Sequence, residues 1–122
     1  MQTITSILAS SVLREDQNSI MIDVRTAEEW AEGLAKCGPT PPILLSLYTG
    51  NARIFNDNFI DDFKALELPK DITLLFLCKS GGRSAMAAEL VSELGYTKCI
   101  NIIDGYTGWK ACNLPIDNES IS

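Results

Sequence analysis

The stretch Ile72-Thr73-Leu74-Leu75-Phe76-Leu77 runs into Cys78-Lys79-Ser80-Gly81-Gly82-Arg83-Ser84 and then into Ala87, Leu90, Val91 and Leu94. The first six residues are apolar apart from Thr73 and show no polar alternation, the pattern of a strand buried on both faces. The last four recur at i, i+3, i+4 and i+7, the period of a helix with one apolar face, and Gly95 stands where a left-handed C-terminal cap would fall. A strand that feeds a helix through a short loop is half of a β-α-β unit.

Working outward, the same alternation recurs. Ile20 to Ile22, Ile43 to Leu45 and Ile100 to Ile103 are further short, partly β-branched runs. Thr26 with Glu29 forms a capping box that opens a helix through Trp30 and Leu34. Phe59, Phe63 and Leu66 share a face in a helix over Asn58 to Leu66, with Pro69 as its terminator. A last short helix is expected from about Thr107 to Ala111. The order predicts an α/β fold with a mainly parallel central sheet of four to five strands and helices on both faces. In such folds ligands bind beyond the carboxyl ends of the strands. The loop after Leu77 is therefore the one to examine.

A chain of 122 residues, 46% hydrophobic and 21% charged, has the size and composition of one globular domain. The expectation is a single domain over 1–122, with a polar tail from Asp117 to Ser122 that frays. Ten Lys and Arg against sixteen Asp and Glu give a net charge of -6, which disfavours nucleic acid and anionic lipid as partners. The stretch from Ile4 to Leu13 is interrupted by serines and follows no basic segment, so it reads as neither signal peptide nor membrane span, and the chain is expected in the cytoplasm. There is no His, so a Ser-His-Asp triad, a Cys-His dyad and an imidazole metal site are excluded. The cysteines at 37, 78, 99 and 112 lack any C-x-x-C pair. That argues for free thiols rather than disulfides or a zinc site.

The loop from Cys78 to Ser84 carries the chemistry. A thiol at a strand end facing a helix N-terminus lies in the positive end of the helix dipole, near unpaired N–H groups, and both favour the thiolate. Gly81 and Gly82 let the loop curl its amides inward as an anion nest. Lys79 and Arg83 add local positive charge, which on an acidic protein suits a small anionic substrate. Arg83, with a planar fork of donors, is expected to hold the loop backbone or an oxyanion, and Lys79 to act as a point charge.

At these residues the sequence resembles the rhodanese-like sulfurtransferases. Ile22-Asp23-Val24-Arg25 with Glu28-Glu29-Trp30 is similar to the family's first signature, Cys78 to Ser84 to its active-site loop, and Asp104-Gly105 with Trp109 and Pro115 to its C-terminal signature. The resemblance implies a rhodanese-like fold. It also implies that Cys78 takes a sulfane sulfur from a donor such as thiosulfate, becomes a persulfide, and passes the sulfur to a thiol or protein acceptor. Lys79, Ser80, Gly81, Gly82, Arg83 and Ser84 would then cradle the substrate, with no metal and no cofactor, in a monomer. The family usually carries His-Ile-Pro-Gly-Ala after the first helix, whereas this chain runs Leu34-Ala35-Lys36-Cys37-Gly38-Pro39, where a bend is expected to persist through Gly38 and Pro39.

Two other function classes compete. A cysteine phosphatase or arsenate reductase also uses a thiolate in an anion loop closed by Arg, but the protein-phosphatase pattern has five residues between Cys and Arg where this loop has Lys79, Ser80, Gly81 and Gly82. A non-catalytic module would instead hold the persulfide for a partner. Outside the loop, Asp23 and Arg25 are expected to form a structural ion pair, or Asp23 to cap a helix, Cys99 and Cys112 to pack, and Cys37 to be the one other thiol with a claim on Cys78.

Overall fold

The structure, a computed structural model, describes residues 1–50 and 52–117. In chain order the elements are β1 (Gln2–Ile4), α1 (Ser6–Glu15), β2 (Ser19–Asp23), α2 (Ala27–Trp30), β3 (Leu34–Ala35), β4 (Ile43–Leu44) and β5 (Tyr48–Thr49). There follow β6 (Ile54–Phe55), α3 (Phe59–Ala65), β7 (Thr73–Leu77), α4 (Gly82–Ser92), β8 (Cys99–Ile102), α5 (Gly105–Ala111) and β9 (Ile116–Asp117). Five strands form a parallel sheet in the order β1-β8-β7-β2-β4, which puts β7 at its centre.

Alternation along β7 sorts the core into two layers. Leu74, Phe76 and the following Cys78 face a cluster with Phe59, Phe63, Ala87, Ala88 and Val91, supplied by α3 and α4. Leu75 and Leu77 face the other side, against Ala9, Leu13, Tyr106 and Trp109 from α1 and α5. Both faces of the strand are therefore covered, which is why its sequence reads as an unbroken apolar run.

Several elements depart from the sequence expectation. The strand β1 and helix α1 escape notice because only Ile4 of β1 is buried, while α1 spends Ser6 and Ser10 on its buried face and leaves Ile7 and Leu8 exposed. Asp104 accepts a hydrogen bond from the Ser6 amide at 2.8 Å and so ties the start of α1 to the turn that opens α5. The capping box at Thr26 and Glu29 is present, yet α2 is a single turn and Leu34 belongs to β3. The chain leaves the helix because Arg25 takes the Gly33 carbonyl at 2.8 Å and draws the backbone away. Helix α3 stops at Ala65 with Glu67 in the left-handed region, ahead of Pro69, and Leu66 is exposed. Asp117 pairs with Leu34 across β9 and β3 rather than fraying; 118–122 lie outside the described residues. The bend after β3 persists at Gly38, whose backbone lies against the Leu13 carbonyl.

Asp23 and Arg25 form the expected ion pair, almost wholly enclosed, at 2.9 Å. Arg25 also lies 4.0 Å over the Tyr106 ring and so joins the end of β2, the α2 turn and α5 in one polar knot. An enclosed guanidinium that loses its carboxylate stays desolvated without compensation. Asp23→Asn is therefore expected to lower stability by about 3–5 kcal/mol, read as the urea midpoint at neutral pH. A loss below about 1 kcal/mol would mean that Arg25 finds water instead.

Candidate active site

Cys78 follows the last residue of β7 and is 1% exposed. Its Sγ receives the Gly81 amide at 3.0 Å and lies 3.3 Å from Ser84 Oγ. Gly81 caps α4 with φ +99°, a left-handed conformation that glycine adopts without penalty. No larger residue fits, because a Cβ there would strike the Ile103 carbonyl. Of the loop's backbone amides it is that of Gly81, at the N-cap of α4, that donates to the sulfur.

The loop is held from behind by α5. The Tyr106 and Thr107 amides donate to the carbonyls of Cys78 and Lys79 at 2.8 and 3.0 Å. This approach requires glycine at 105, where φ is +59° and a Cβ would overlap the Lys79 carbonyl. Asn101 in β8 supplies a third support, since its Nδ2 donates to the Gly81 carbonyl at 3.2 Å and its Oδ1 accepts from Ser84 Oγ. The Ser84 hydroxyl has one proton and two acceptors in reach, so it serves Asn101 or the sulfur at any moment. Asn101 went unrecognised as a site residue because it sits inside the apolar run Ile100 to Ile103. A buried amide in such a run needs partners, and that was the available signal.

Of the seven loop residues, Cys78, Gly81 and Ser84 are buried around the sulfur, whereas Lys79, Ser80 and Gly82 are exposed at the rim. Arg83, expected to hold the loop backbone or an oxyanion, here meets the Glu29 carboxylate with its fork, Nη1 to Oε1 at 2.7 Å and Nη2 to Oε2 at 3.0 Å. The reason is that Glu29, fixed at the third position of α2 by the capping box, presents both oxygens to the first turn of α4. Burial pushes the Glu29 carboxyl up, but the hydrogen bonds from Arg83 and Thr26 outweigh it and hold the group at about 2. Arg83 is shifted up, chiefly by the same hydrogen bond and against burial, with the charges of Glu29 and Cys78 adding to the rise.

Against the loop opens a cavity of about 320 Å³, with Arg25, Arg53, Lys79 and Lys110 as its cations, Glu29 and Glu32 as its carboxylates, and Tyr106 and Thr107 completing the wall. Of these, Arg53, Lys110 and Glu32 carried no recognisable pattern in the sequence. The other thiols lie elsewhere. Cys37 is buried in the core layer on the opposite face of the sheet, 3.5 Å from the Ser10 carbonyl, and so is separated from Cys78 by the sheet itself. Cys99 is buried, and that burial pushes its thiol up to about 11. Cys112, expected to pack, is instead exposed, because it follows the last turn of α5 at the surface. No helix among the described residues is long and apolar enough to cross a membrane.

A family model described as rhodanese-like domain matches residues 10–112. An uncharacterized protein of Rickettsia prowazekii is 38% identical over 93% of this chain and 95% of its own length. Thiosulfate sulfurtransferase 18 of Arabidopsis thaliana is 33% identical over 80% of this chain and 71% of its own. Among solved structures, that of Rv0390 from M. tuberculosis superposes with a TM-score of 0.81 at 28% identity, covering 97% of this chain and 98% of the other.

The Glu29 position has a consequence for stability in acid. A carboxyl held at about 2 when folded, against about 4.3 for an unperturbed glutamate, stabilises the fold fully above the unfolded value, and this contribution is lost as pH falls toward the folded one. Between about pH 5 and 2, wild type is expected to lose more thermal stability than Glu29→Gln, and the two should run parallel above about pH 6.

Proposed function

The chain belongs to the rhodanese-like domain family, and from that premise we propose that it is a sulfurtransferase whose Cys78 carries the sulfur as a persulfide. The observation that supports this reading is the enclosed Cys78 sulfur, with the Gly81 amide at 3.0 Å and Ser84 Oγ at 3.3 Å. The Gly81 amide stabilises negative charge on Sγ, the form that attacks, and the Ser84 hydroxyl adds to it when its proton faces the sulfur.

In the first step the Cys78 thiolate attacks the outer sulfur of thiosulfate. A new S–S bond forms, the bond to the sulfonate sulfur breaks, and its electron pair leaves as sulfite. In the second step an acceptor thiolate attacks the outer sulfur of the persulfide, takes it, and returns Cys78 as thiolate. Each half reaction leaves a stable enzyme form, which gives ping-pong kinetics. Neither half requires a general base or a cofactor. The cations at the cavity suit a small anionic donor, the acceptor is a small thiol or a protein thiol, and the chain acts as a monomer in a reducing compartment.

Incubation with thiosulfate should give an intact mass one sulfur atom heavier, lost on adding cyanide, and Cys78→Ser should abolish both the added mass and turnover while leaving the fold unchanged. Retained turnover in Cys78→Ser would overturn the proposal.

The loop argues against phosphoryl chemistry. Four residues separate Cys78 from Arg83, and the fork that would meet two phosphoryl oxygens is engaged by Glu29. Oxygens left without donors raise the barrier. Cys78-dependent hydrolysis of an aryl phosphate is therefore expected to be undetectable beside thiosulfate turnover, and comparable rates would contradict the argument.

A further inference from the structure

Glu29 has three sets of contacts at once. Its Oε1 accepts from the Thr26 amide at 3.0 Å and the Thr26 hydroxyl at 3.1 Å, which fixes the carboxylate to the α2 turn. Both oxygens accept from Arg83, and Oε2 lies 4.0 Å from Arg53 Nη2. It also lines the cavity beside Lys79. The carboxylate is held in the wall of the cavity that Lys79 of the loop also lines, by bonds to Thr26 that do not depend on Arg83.

We infer that Arg83 serves the anionic donor through Glu29: the guanidinium neutralises and clamps a carboxylate built into the cavity wall, and the incoming anion is met by Lys79, Lys110 and Arg53. Glu29 is then the residue that sets the charge of the entrance and so the preference of Cys78 for anionic over neutral partners. This rests on the sulfurtransferase reading for its biological meaning, though not for its physics.

Turning Arg83 inward would break two charge-assisted hydrogen bonds, among the stronger kinds in proteins, and the capping box prevents Glu29 from following. Removing Arg83 would leave the carboxylate in place, because the Thr26 bonds remain, and would convert a neutral pair into a negative charge on the path of the donor. Arg53 is about half exposed and at the limit of an ion pair, so it compensates only weakly.

The inference predicts an order of variants that a direct contact between Arg83 and the donor does not. Counting only the pair, wild type contributes zero charge at the entrance, Arg83→Ala one negative, Glu29→Gln one positive, and the double variant zero. Gln at 29 can still accept from the Thr26 amide, so the capping geometry survives.

The first readout needs no sulfur transfer. In a Cys112→Ser background, which removes the exposed thiol, the rates of Cys78 alkylation by anionic iodoacetate and neutral iodoacetamide are measured, with the site confirmed by peptide mass. The ratio of the two rates should fall about three- to tenfold in Arg83→Ala, rise by a similar factor in Glu29→Gln, and return to near wild type in the double variant. The second readout is thiosulfate kinetics, where KM should move in the opposite sense to that ratio while kcat changes less.

Thermal unfolding of each variant checks the fold. Should Arg83→Ala fail to fold, Arg83→Gln takes its place, and the rise in Glu29→Gln is tested independently of either. An inward, donor-binding Arg83 would leave the double variant as impaired as Arg83→Ala, and that result, or an unchanged ratio in Glu29→Gln, would overturn the inference. Absence of any sulfur transfer by wild type would instead remove the proposed function and leave the alkylation result to stand or fall by itself.

Discussion

The two hydrogen bonds from the Tyr106 and Thr107 amides to the Cys78 and Lys79 carbonyls are the constraint on which the site depends. They bind the end of the central strand to the start of α5, and they form only because residue 105 has no side chain. Everything around the sulfur is set from there. With the carbonyls of Cys78 and Lys79 pulled back, the chain turns through Gly81, the Gly81 amide falls on Sγ, and α4 begins with its N-terminus toward the thiol. Asn101 closes the arrangement from β8 by taking the Gly81 carbonyl and the Ser84 hydroxyl. A buried polar network of this kind rigidifies its surroundings because every member is satisfied.

Electrostatics at the site follows a second logic. The protein carries a net charge of -6, yet the cavity that Lys79 of the loop lines has four cations and two carboxylates in its wall. Two arginines are committed to carboxylates, Arg25 to Asp23 in the interior and Arg83 to Glu29 at the wall. The pairs join elements distant in the chain: the first ties β2 to the α2 turn and α5, the second ties α2 to α4. The cations of this wall that are not paired with a carboxylate, Lys79 and Lys110, are exposed at the rim, where water and salt screen them more than the buried pairs.

Much of this was written in local pattern. The unbroken apolar run of β7, the helical period of α4 and the glycines between them depend on neighbours within a few residues, and the thiol at the strand end with a helix ahead of it was legible for the same reason. The capping box at Thr26 and Glu29 was equally local. Where local pattern was weak the reading failed: β1 buries one residue of three, and α1 places serines on its inner face, so neither shows the periodicity that marks an element.

Sequence by itself determined β7, α4 and the loop between them that holds the candidate nucleophile Cys78, together with the exclusion of imidazole chemistry, because these rest on residue type and short spacing. Tertiary structure alone decided which groups face one another across the sheet. Glu29 meets Arg83 across 54 positions of chain, and Asn101 meets Ser84 across 17. Cys37 is separated from Cys78 by the sheet. Such encounters depend on register and crossover, which carry no local signature, and the energy of a charged pair depends on its distance and its burial rather than on where its members stand in the sequence.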